Sequence, residues 1–259
     1  MTTAVAVRQP FSTPTILLAV ASAVAWLGTL TWAQSSSMGA MPGTMGMNVF
    51  TFTSMWALMM AAMMLPSVGP FVGVYQRTVT EHRGIRLSAL AFGYLAVWAA
   101  VGVGAYVIAD RFGDLAGGNA RAAQLVAVAT FATVGVFQLS PLKFKCLSHC
   151  RTPLGHLIHY LGYRGRLRDV RAGASHGWFC LGCCWALMVL MIAFGVMNVA
   201  AMVGLAVVIA VEKGWRHGEW FARAVGVAAL VYALALVFMP ELAPGLDPGA
   251  VMTMTDRGM

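Results

Sequence analysis

An uncharged stretch at residues 49–75 decides the fold class, and it reads VFTFTSMWALMMAAMMLPSVGPFVGVY. It is longer than the roughly 20 apolar residues that a helix needs to cross about 30 Å of hydrocarbon. Pro66, near its second end, predicts a kink or a tilt. A small water-soluble protein cannot bury several helices that are apolar on all sides. The stretch therefore predicts a helix that spans a membrane.

The same pattern recurs along the chain. Of its 259 residues 59% are hydrophobic and only 10% are charged, whereas about 25% are charged in a typical soluble domain. We predict an all-α, polytopic transmembrane helical bundle that forms a single domain over residues 1–259, with a cytosolic loop at 140–176. The seven predicted spans are 14–33, 49–75, 88–109, 122–139, 177–195, 197–211 and 222–239.

The orientation follows from the positive charges, because cytoplasmic loops of membrane proteins are enriched in Lys and Arg. With the N-terminus inside and the C-terminus outside, fourteen of the 17 basic residues lie on the inner side. An alternative for the first span is a cleaved signal peptide, with a weak cleavage site at Thr31-Trp32-Ala33. The inner basic residues are Arg8, Arg77, Arg83, Arg86, Lys143, Lys145, Arg151, Arg164, Arg166, Arg168, Arg171, Lys213, Arg216 and Arg223.

The placement of the charges also excludes some functions. The net charge of +8 is gathered beside the spans, so we expect no nucleic-acid partner. The interiors of the predicted spans contain no Asp, Glu, Lys or Arg, which disfavours proton-coupled pumps. Three polar side chains remain in or beside the spans, and we expect them to form hydrogen bonds between helices: Gln124, Gln138 and Asn198.

All five cysteines fall between residues 146 and 184, in two groups joined by the predicted inner loop. In the first group Cys146 and Cys150 share one helical face, with His149 beside them; His156 and His159 follow. Two such groups that meet across the loop predict a tetrahedral or trigonal metal site made of thiolates and imidazoles.

The second group lies at the start of the fifth predicted span. At about 100° per residue, and with His176 at zero, Cys180 lies at about 40°, Cys183 at about −20° and Cys184 at about 80°. One arc of roughly 100° therefore carries four candidate ligands. Two alternatives remain: packed, inert cysteines, or a redox-active Cys180-x-x-Cys183 pair. A structural disulfide is disfavoured on the reducing cytosolic side.

Methionine is the other excess, with 18 residues. Met55, Met59 and Met63 form a stripe along the second span, which indicates either packing or a weak metal path. The predicted outer loop is also rich in thioethers. Because thioethers and thiolates are soft ligands that favour Cu(I), we expect copper, with zinc as the alternative. The loop methionines are Met38, Met41, Met45 and Met47.

Three stretches together resemble a known family: MWALMMAAMMLPS at 55–67, QLSPLK at 138–143 leading into the first cysteine group, and HGWFCLGCCWALM at 176–188. They are similar to the bacterial "predicted metal-binding integral membrane proteins", a domain of unknown function. The resemblance covers roughly residues 45 to 235. It implies a multi-span helical fold that binds a metal, and a place in the bacterial cytoplasmic membrane.

The sequence thus predicts a membrane protein that binds a soft metal, copper first, for uptake, transfer or delivery. The expected ligands are the two cysteine groups with His149 and His176. The alternatives are a membrane thiol oxidoreductase, and an accessory subunit of a larger membrane complex in which the metal is structural. The expected partners are the lipid bilayer, the metal ion, and a complex partner or a second copy of the chain.

Overall fold

The computed structural model describes residues 13–36, 43–118, 120–152, 160, 162–239 and 242. Within these residues the chain forms eight α-helices, a short 3-10 helix at Gln76–Thr78, and no strand. The all-α fold class is therefore confirmed. The α-helices are α1 (Thr13–Ser36), α2 (Val49–Tyr75), α3 (Arg83–Gly118), α4 (Ala120–Leu139), α5 (Pro141–Arg151), α6 (Arg168–Ala193), α7 (Val199–Gly214) and α8 (Gly218–Phe238).

Six of these helices are long and apolar enough to cross a membrane: α1, α2, α3, α4, α6 and α8. Their outward faces carry large apolar side chains, among them Leu17, Phe92, Leu125 and Val231, which are 62–67% exposed. Water-soluble monomers rarely expose so much apolar surface on every side. The fold is thus compatible with a multi-pass membrane protein.

The seventh predicted span, 197–211, corresponds to α7, which is shorter than the other candidates. Its 16 residues extend about 24 Å, less than the roughly 30 Å of a hydrocarbon core. It also ends on two charged residues that turn into the bundle, Glu212 and Lys213. A count of seven spans, and the orientation derived from it, therefore stay predictions.

The central helices of the bundle are α2 and α6. In the most apolar 18-residue stretch of each helix, 56% of the residues are buried in α2 and 67% in α6, against 17% in α1. Helix α3 packs along α6 so closely that a methyl group added at Gly93 or Gly173 would overlap the carbonyl oxygen of Val170 or Leu90. Close approach at small residues is the usual way in which membrane helices associate. This contact fixes α6, which carries three cysteines, against α3.

Proline explains how α1 is attached to α2. Pro66 lies inside α2 and has no N–H, so the carbonyl oxygen of Ala62 lacks its usual helical donor. The hydroxyl of Ser22, in α1, donates to that oxygen at 2.7 Å. A backbone group that would be unsatisfied in lipid is thereby paired by a neighbouring helix.

The polar amides were predicted to join helices, and two of them do. Gln124 donates to the carbonyl oxygen of Leu236, in α8, and Gln138 donates to Glu212, in α7. Asn198 acts at the junction of two helices: its side chain accepts from the backbone N–H of Ala201 and caps α7, and its amide donates to the carbonyl oxygen of Phe194, at the end of α6. A helix start leaves N–H groups without partners, and Asn satisfies them locally.

Candidate metal site

Helix α5 begins with a local signal and presents one buried face to the bundle. The side chain of Ser140 caps its first turn by accepting from the backbone N–H of Lys143, and Pro141 occupies the first helical position. The residues at spacings of four and seven, Lys143, Leu147 and Cys150, are then all buried. The helix start thus determines which cysteine of the first group points inward.

Helix α6 supplies the second cysteine group from its middle. The helix begins at Arg168, nine residues before the predicted span at 177, so Cys180 lies about 18 Å from its first residue and close to its midpoint. Cys180, Cys183 and Cys184 are each 1% exposed, and His176 is buried on the same face. The predicted helical arc is therefore present, but it lies at mid-helix instead of at the helix start.

Helices α5 and α6 bring thiols of the two groups together. The sulfur atoms of Cys150 and Cys183 lie 3.7 Å apart, and the thiols of Cys150 and Cys180 are close enough to interact. The thiols of Cys183 and Cys184 donate to the carbonyl oxygen of Cys180 at 3.0 and 2.9 Å. All five cysteines of the chain are free. We call Cys150, Cys180, Cys183 and Cys184 the thiol cluster.

Helices α2, α3 and α7 complete the surroundings of Cys180. The ammonium of Lys213 donates to its sulfur at 3.0 Å, and the hydroxyl of Tyr94 shares a second hydrogen bond of 3.0 Å with the same sulfur. Lys213 also donates to Ser67, whose hydroxyl lies 3.4 Å from that of Tyr94. Hydrogen bonds to a charged sulfur stabilise the thiolate, so this environment favours the metal-binding form of Cys180.

A second lysine lies on the other side of the cluster. Lys143 is fully buried and donates to the carbonyl oxygen of Cys183 and to the carboxylate of Glu212, both at 2.6 Å. Glu212 accepts a further hydrogen bond from Gln138 at 2.7 Å. This buried pair was not predicted from the sequence, because charges at the ends of apolar runs were assigned to the inner loops. A usable signal was the carboxylate at residue 212, directly after fifteen residues that carry no charge.

Two predicted ligands lie at the edge of the cluster. Cys146 is half-buried against Gly182, and burial raises the pKa of its thiol. His149 has its Nδ1 2.8 Å from the carbonyl oxygen of Lys145, and its ring stacks on Phe179. The thiol of Cys146 also interacts electrostatically with that of Cys183.

His176 is on the face of the cysteines but is engaged otherwise. Its ring stacks on Phe71, with 4.4 Å between the ring centres and 7° between the planes. Tyr94 lies beside it, with 6.1 Å between ring centres. This packing orients the ring as part of the core. His156 and His159 lie outside the described residues.

The predicted methionine stripe is entirely buried. Met55, Met59 and Met63 are at most 5% exposed, and they belong to the same continuous core as the thiol cluster. Of the methionines predicted in the outer loop, Met45 is buried, whereas Met38 and Met41 lie outside the described residues. Burial fits packing and also a metal path, so both interpretations stay open.

Within the described part of the chain, no three side chains of His, Cys, Asp or Glu are arranged to hold a metal ion as they stand. The pair formed by Cys150 and Cys183 nevertheless has a chelating distance. Two thiolates of a tetrahedral site with metal–sulfur bonds of about 2.3 Å lie about 3.8 Å apart. The cluster therefore offers two sulfurs at this distance, and a third, that of Cys180, which interacts with Cys150.

Residues 53–236 match the PpoB2 family, which is described as a copper chaperone. The chain belongs to this family. No curated protein and no solved structure matches it. The match contains the whole thiol cluster with Lys143, Glu212 and Lys213, and it links the chain to copper. The prediction that the chain belongs to a metal-related family is thus confirmed. The description of the matching family differs from that of the family which the sequence motifs resemble.

Proposed function

We propose that this member of the copper chaperone family binds Cu(I) at the thiol cluster and passes it on from within the membrane. The ligands are Cys150, Cys180 and Cys183. Cys184, on the same face of α6, is a further thiol that can serve as a ligand. The single observation that carries the proposal is the 3.7 Å between the sulfurs of Cys150 and Cys183 on two different helices. Together with the family membership, it favours a chelated soft metal over isolated core thiols.

The chemistry of the donor set favours copper over the predicted alternative, zinc. Structural zinc sites take four ligands in a closed tetrahedron. The described residues hold two thiols at chelating distance and a third nearby, which is fewer than the four ligands of a closed zinc site, and thiolates are ligands that Cu(I) also takes. Imidazole donors are not needed for this arrangement. His149 and His176 therefore act in this proposal as packing residues.

The finer topology also belongs to the proposal. The protein lies in the bacterial cytoplasmic membrane with seven spans, its N-terminus inside and its C-terminus outside. The buried thioethers of Met55, Met59 and Met63 form a second, weaker set of soft ligands along α2. In this arrangement copper moves along α2 to the thiol cluster on α5 and α6.

The test is Cu(I) affinity of the purified, full-length protein in detergent under anaerobic conditions, measured by competition with a coloured Cu(I) chelator. The double variant Cys180→Ser/Cys183→Ser is expected to bind at least 100-fold more weakly, because two of three thiolates are lost. Cys146→Ser is the matched control, since its thiol lies at the edge of the cluster, and it should stay within threefold of the wild type. Equal Cu(I) affinity in the wild type and the double variant would overturn the proposal.

A thiol oxidoreductase is the second candidate, and the same short distance favours it. The sulfurs of Cys150 and Cys183, on different helices, lie 3.7 Å apart, so these two residues are a candidate dithiol pair beside the predicted pair of Cys180 and Cys183. Alkylation followed by mass measurement distinguishes the two functions. A redox enzyme cycles between dithiol and disulfide without metal, whereas a copper site stays reduced and is protected from alkylation by Cu(I).

A further inference from the structure

One fixed cation lies among the sulfurs of the thiol cluster. The ammonium of Lys213 is 3.0 Å from the sulfur of Cys180 and 3.3 Å from the hydroxyl of Ser67. It also interacts electrostatically with the other three thiols of the cluster. A metal ion bound by these sulfurs therefore binds close to a permanent positive charge.

The positive charge of Lys213 is not neutralised by a carboxylate of the described residues, whereas that of the other buried lysine is. Lys143 is paired with Glu212 at 2.6 Å. Lys213 follows Glu212 directly in α7 but points about 100° away around the helix, toward Cys180. Among the described residues Lys213 makes no ion pair with Asp or Glu. The group in hydrogen-bonding contact that can balance it is the sulfur of Cys180, as a thiolate.

A fixed positive charge acts differently on ions of different valence. At the same place among the sulfurs, the ammonium of Lys213 repels a doubly charged ion such as Zn(II) twice as strongly as it repels Cu(I). The ammonium therefore lowers the affinity for Zn(II) more than the affinity for Cu(I), whatever the number of thiolate ligands. Thiolates alone do not make this distinction, since they bind zinc and Cu(I) alike.

We infer that Lys213 is a specificity-determining residue that makes the thiol cluster selective for monovalent copper against divalent ions. The inference rests on the proposed function, because it assumes that the cluster is the copper site. The ion that Lys213 excludes is of the Zn(II) class, which is the main competitor for thiolate ligands in a cell.

The size of the effect follows from Coulomb's law. Removing one unit charge about 4 Å away, at an effective dielectric constant of about 20, changes an equilibrium about 1,000-fold for each unit of ion charge. Relaxation of the site reduces this difference. We therefore expect the ratio of Cu(I) affinity to Zn(II) affinity to fall at least tenfold when the charge of Lys213 is removed.

The experiment measures both affinities on the full-length protein in detergent, with competing chelators for each metal under anaerobic conditions. In Lys213→Met the Cu(I)/Zn(II) affinity ratio should fall at least tenfold, and Lys213→Arg, which keeps the charge, should stay within threefold of the wild type. Lys145→Met is the matched control: it removes an equal charge from an exposed position on α5 and should leave the ratio unchanged. Lys213→Gln, which retains a donor for Ser67, replaces the Met variant if that variant does not fold.

The outcomes separate the two proposals. If wild-type Cu(I) binding depends on Cys180 and Cys183, but neutral variants of Lys213 keep the wild-type ratio, the selectivity inference is overturned and the copper site stands. If the double cysteine variant binds Cu(I) as the wild type does, the proposed site itself is wrong, and the role of Lys213 with it. A tenfold fall in the ratio for Lys213→Met, with no change for Lys145→Met, supports the inference.

Discussion

At the scale of single residues, the buried pair of Lys143 and Glu212 holds three helices together beside the thiols. Lys143 comes from α5 and Glu212 from α7, and Lys143 also donates to the backbone of Cys183, in α6. Gln138 uses its amide to satisfy one oxygen of the carboxylate. A buried ion pair contributes little net stability compared with apolar residues, but the loss of one partner leaves an uncompensated charge.

Glu212→Gln is therefore expected to destabilise the protein by about 3–5 kcal/mol, because Lys143 keeps its charge in the core without a counterion. The measurement is the midpoint of thermal unfolding in detergent, compared with Glu219→Gln, which removes an exposed carboxylate from α8. The control should change the stability by less than about 1 kcal/mol. Lys143→Met combined with Glu212→Gln should recover most of the loss, and an unstable double variant would contradict this account.

At the scale of elements, the contact between α3 and α6 sets the position of the thiols. Gly93 and Gly173 let the two backbones touch, and Gly177 continues the contact four residues later, near the carbonyl oxygen of Tyr94. Because Tyr94 bonds to Cys180, the separation of these helices determines one of the two hydrogen bonds to its sulfur. Helix packing and the geometry of the thiol cluster are coupled here through backbone contact.

Gly173→Ala is expected to force α3 and α6 apart, because the added methyl group overlaps the carbonyl oxygen of Leu90. Overpacking of this kind costs about 1–3 kcal/mol. We expect a lower unfolding midpoint together with weaker Cu(I) binding, measured on the same preparation. Gly104→Ala, on α3, is the matched control, since a methyl group there has no neighbour within 4 Å. Similar effects in both variants would show that the close contact is unimportant.

At the scale of the whole molecule, α7 decides the topology. If α7 crosses the membrane, the chain has seven spans and its ends lie on opposite sides. If it dips in and returns, the six candidate spans place both ends on the same side. The fourteen basic residues assigned to the inner side favour the first arrangement. Lys143 and Lys213 are weaker evidence for this orientation than the other basic residues, because partners inside the bundle bind their ammonium groups.

A reporter fused to the C-terminus distinguishes the two arrangements. We expect an enzyme that is active only outside the cytoplasm to be active there, and a reporter that is fluorescent only in the cytoplasm to be dark. Fusion after Thr80, which follows the second span, is the control and should give the opposite result. A fluorescent fusion at the C-terminus would contradict the seven-span topology.

The sequence by itself predicted most of the helices and the cysteine face. Helix α2 has the predicted bounds, 49–75, and α4 and α8 begin within four residues of theirs. The arc that joins Cys180, Cys183 and Cys184 is also as predicted. These features follow from properties that are local in sequence, namely the length of an apolar run and the 3.6-residue repeat of a helix.

Tertiary structure alone decided what surrounds those thiols. It brought Cys150, and not Cys146 or His149, into the thiol cluster opposite Cys183. It also brought Lys143 and Lys213 into the bundle. The partners concerned are 33 to 69 residues apart in the chain, as in the pairs of Cys150 with Cys183 and of Lys143 with Glu212. A charge next to an apolar run has the same local signature whether it lies in a loop or is buried. Only a partner from another helix makes burial of that charge tolerable, and that partner is absent from the local sequence.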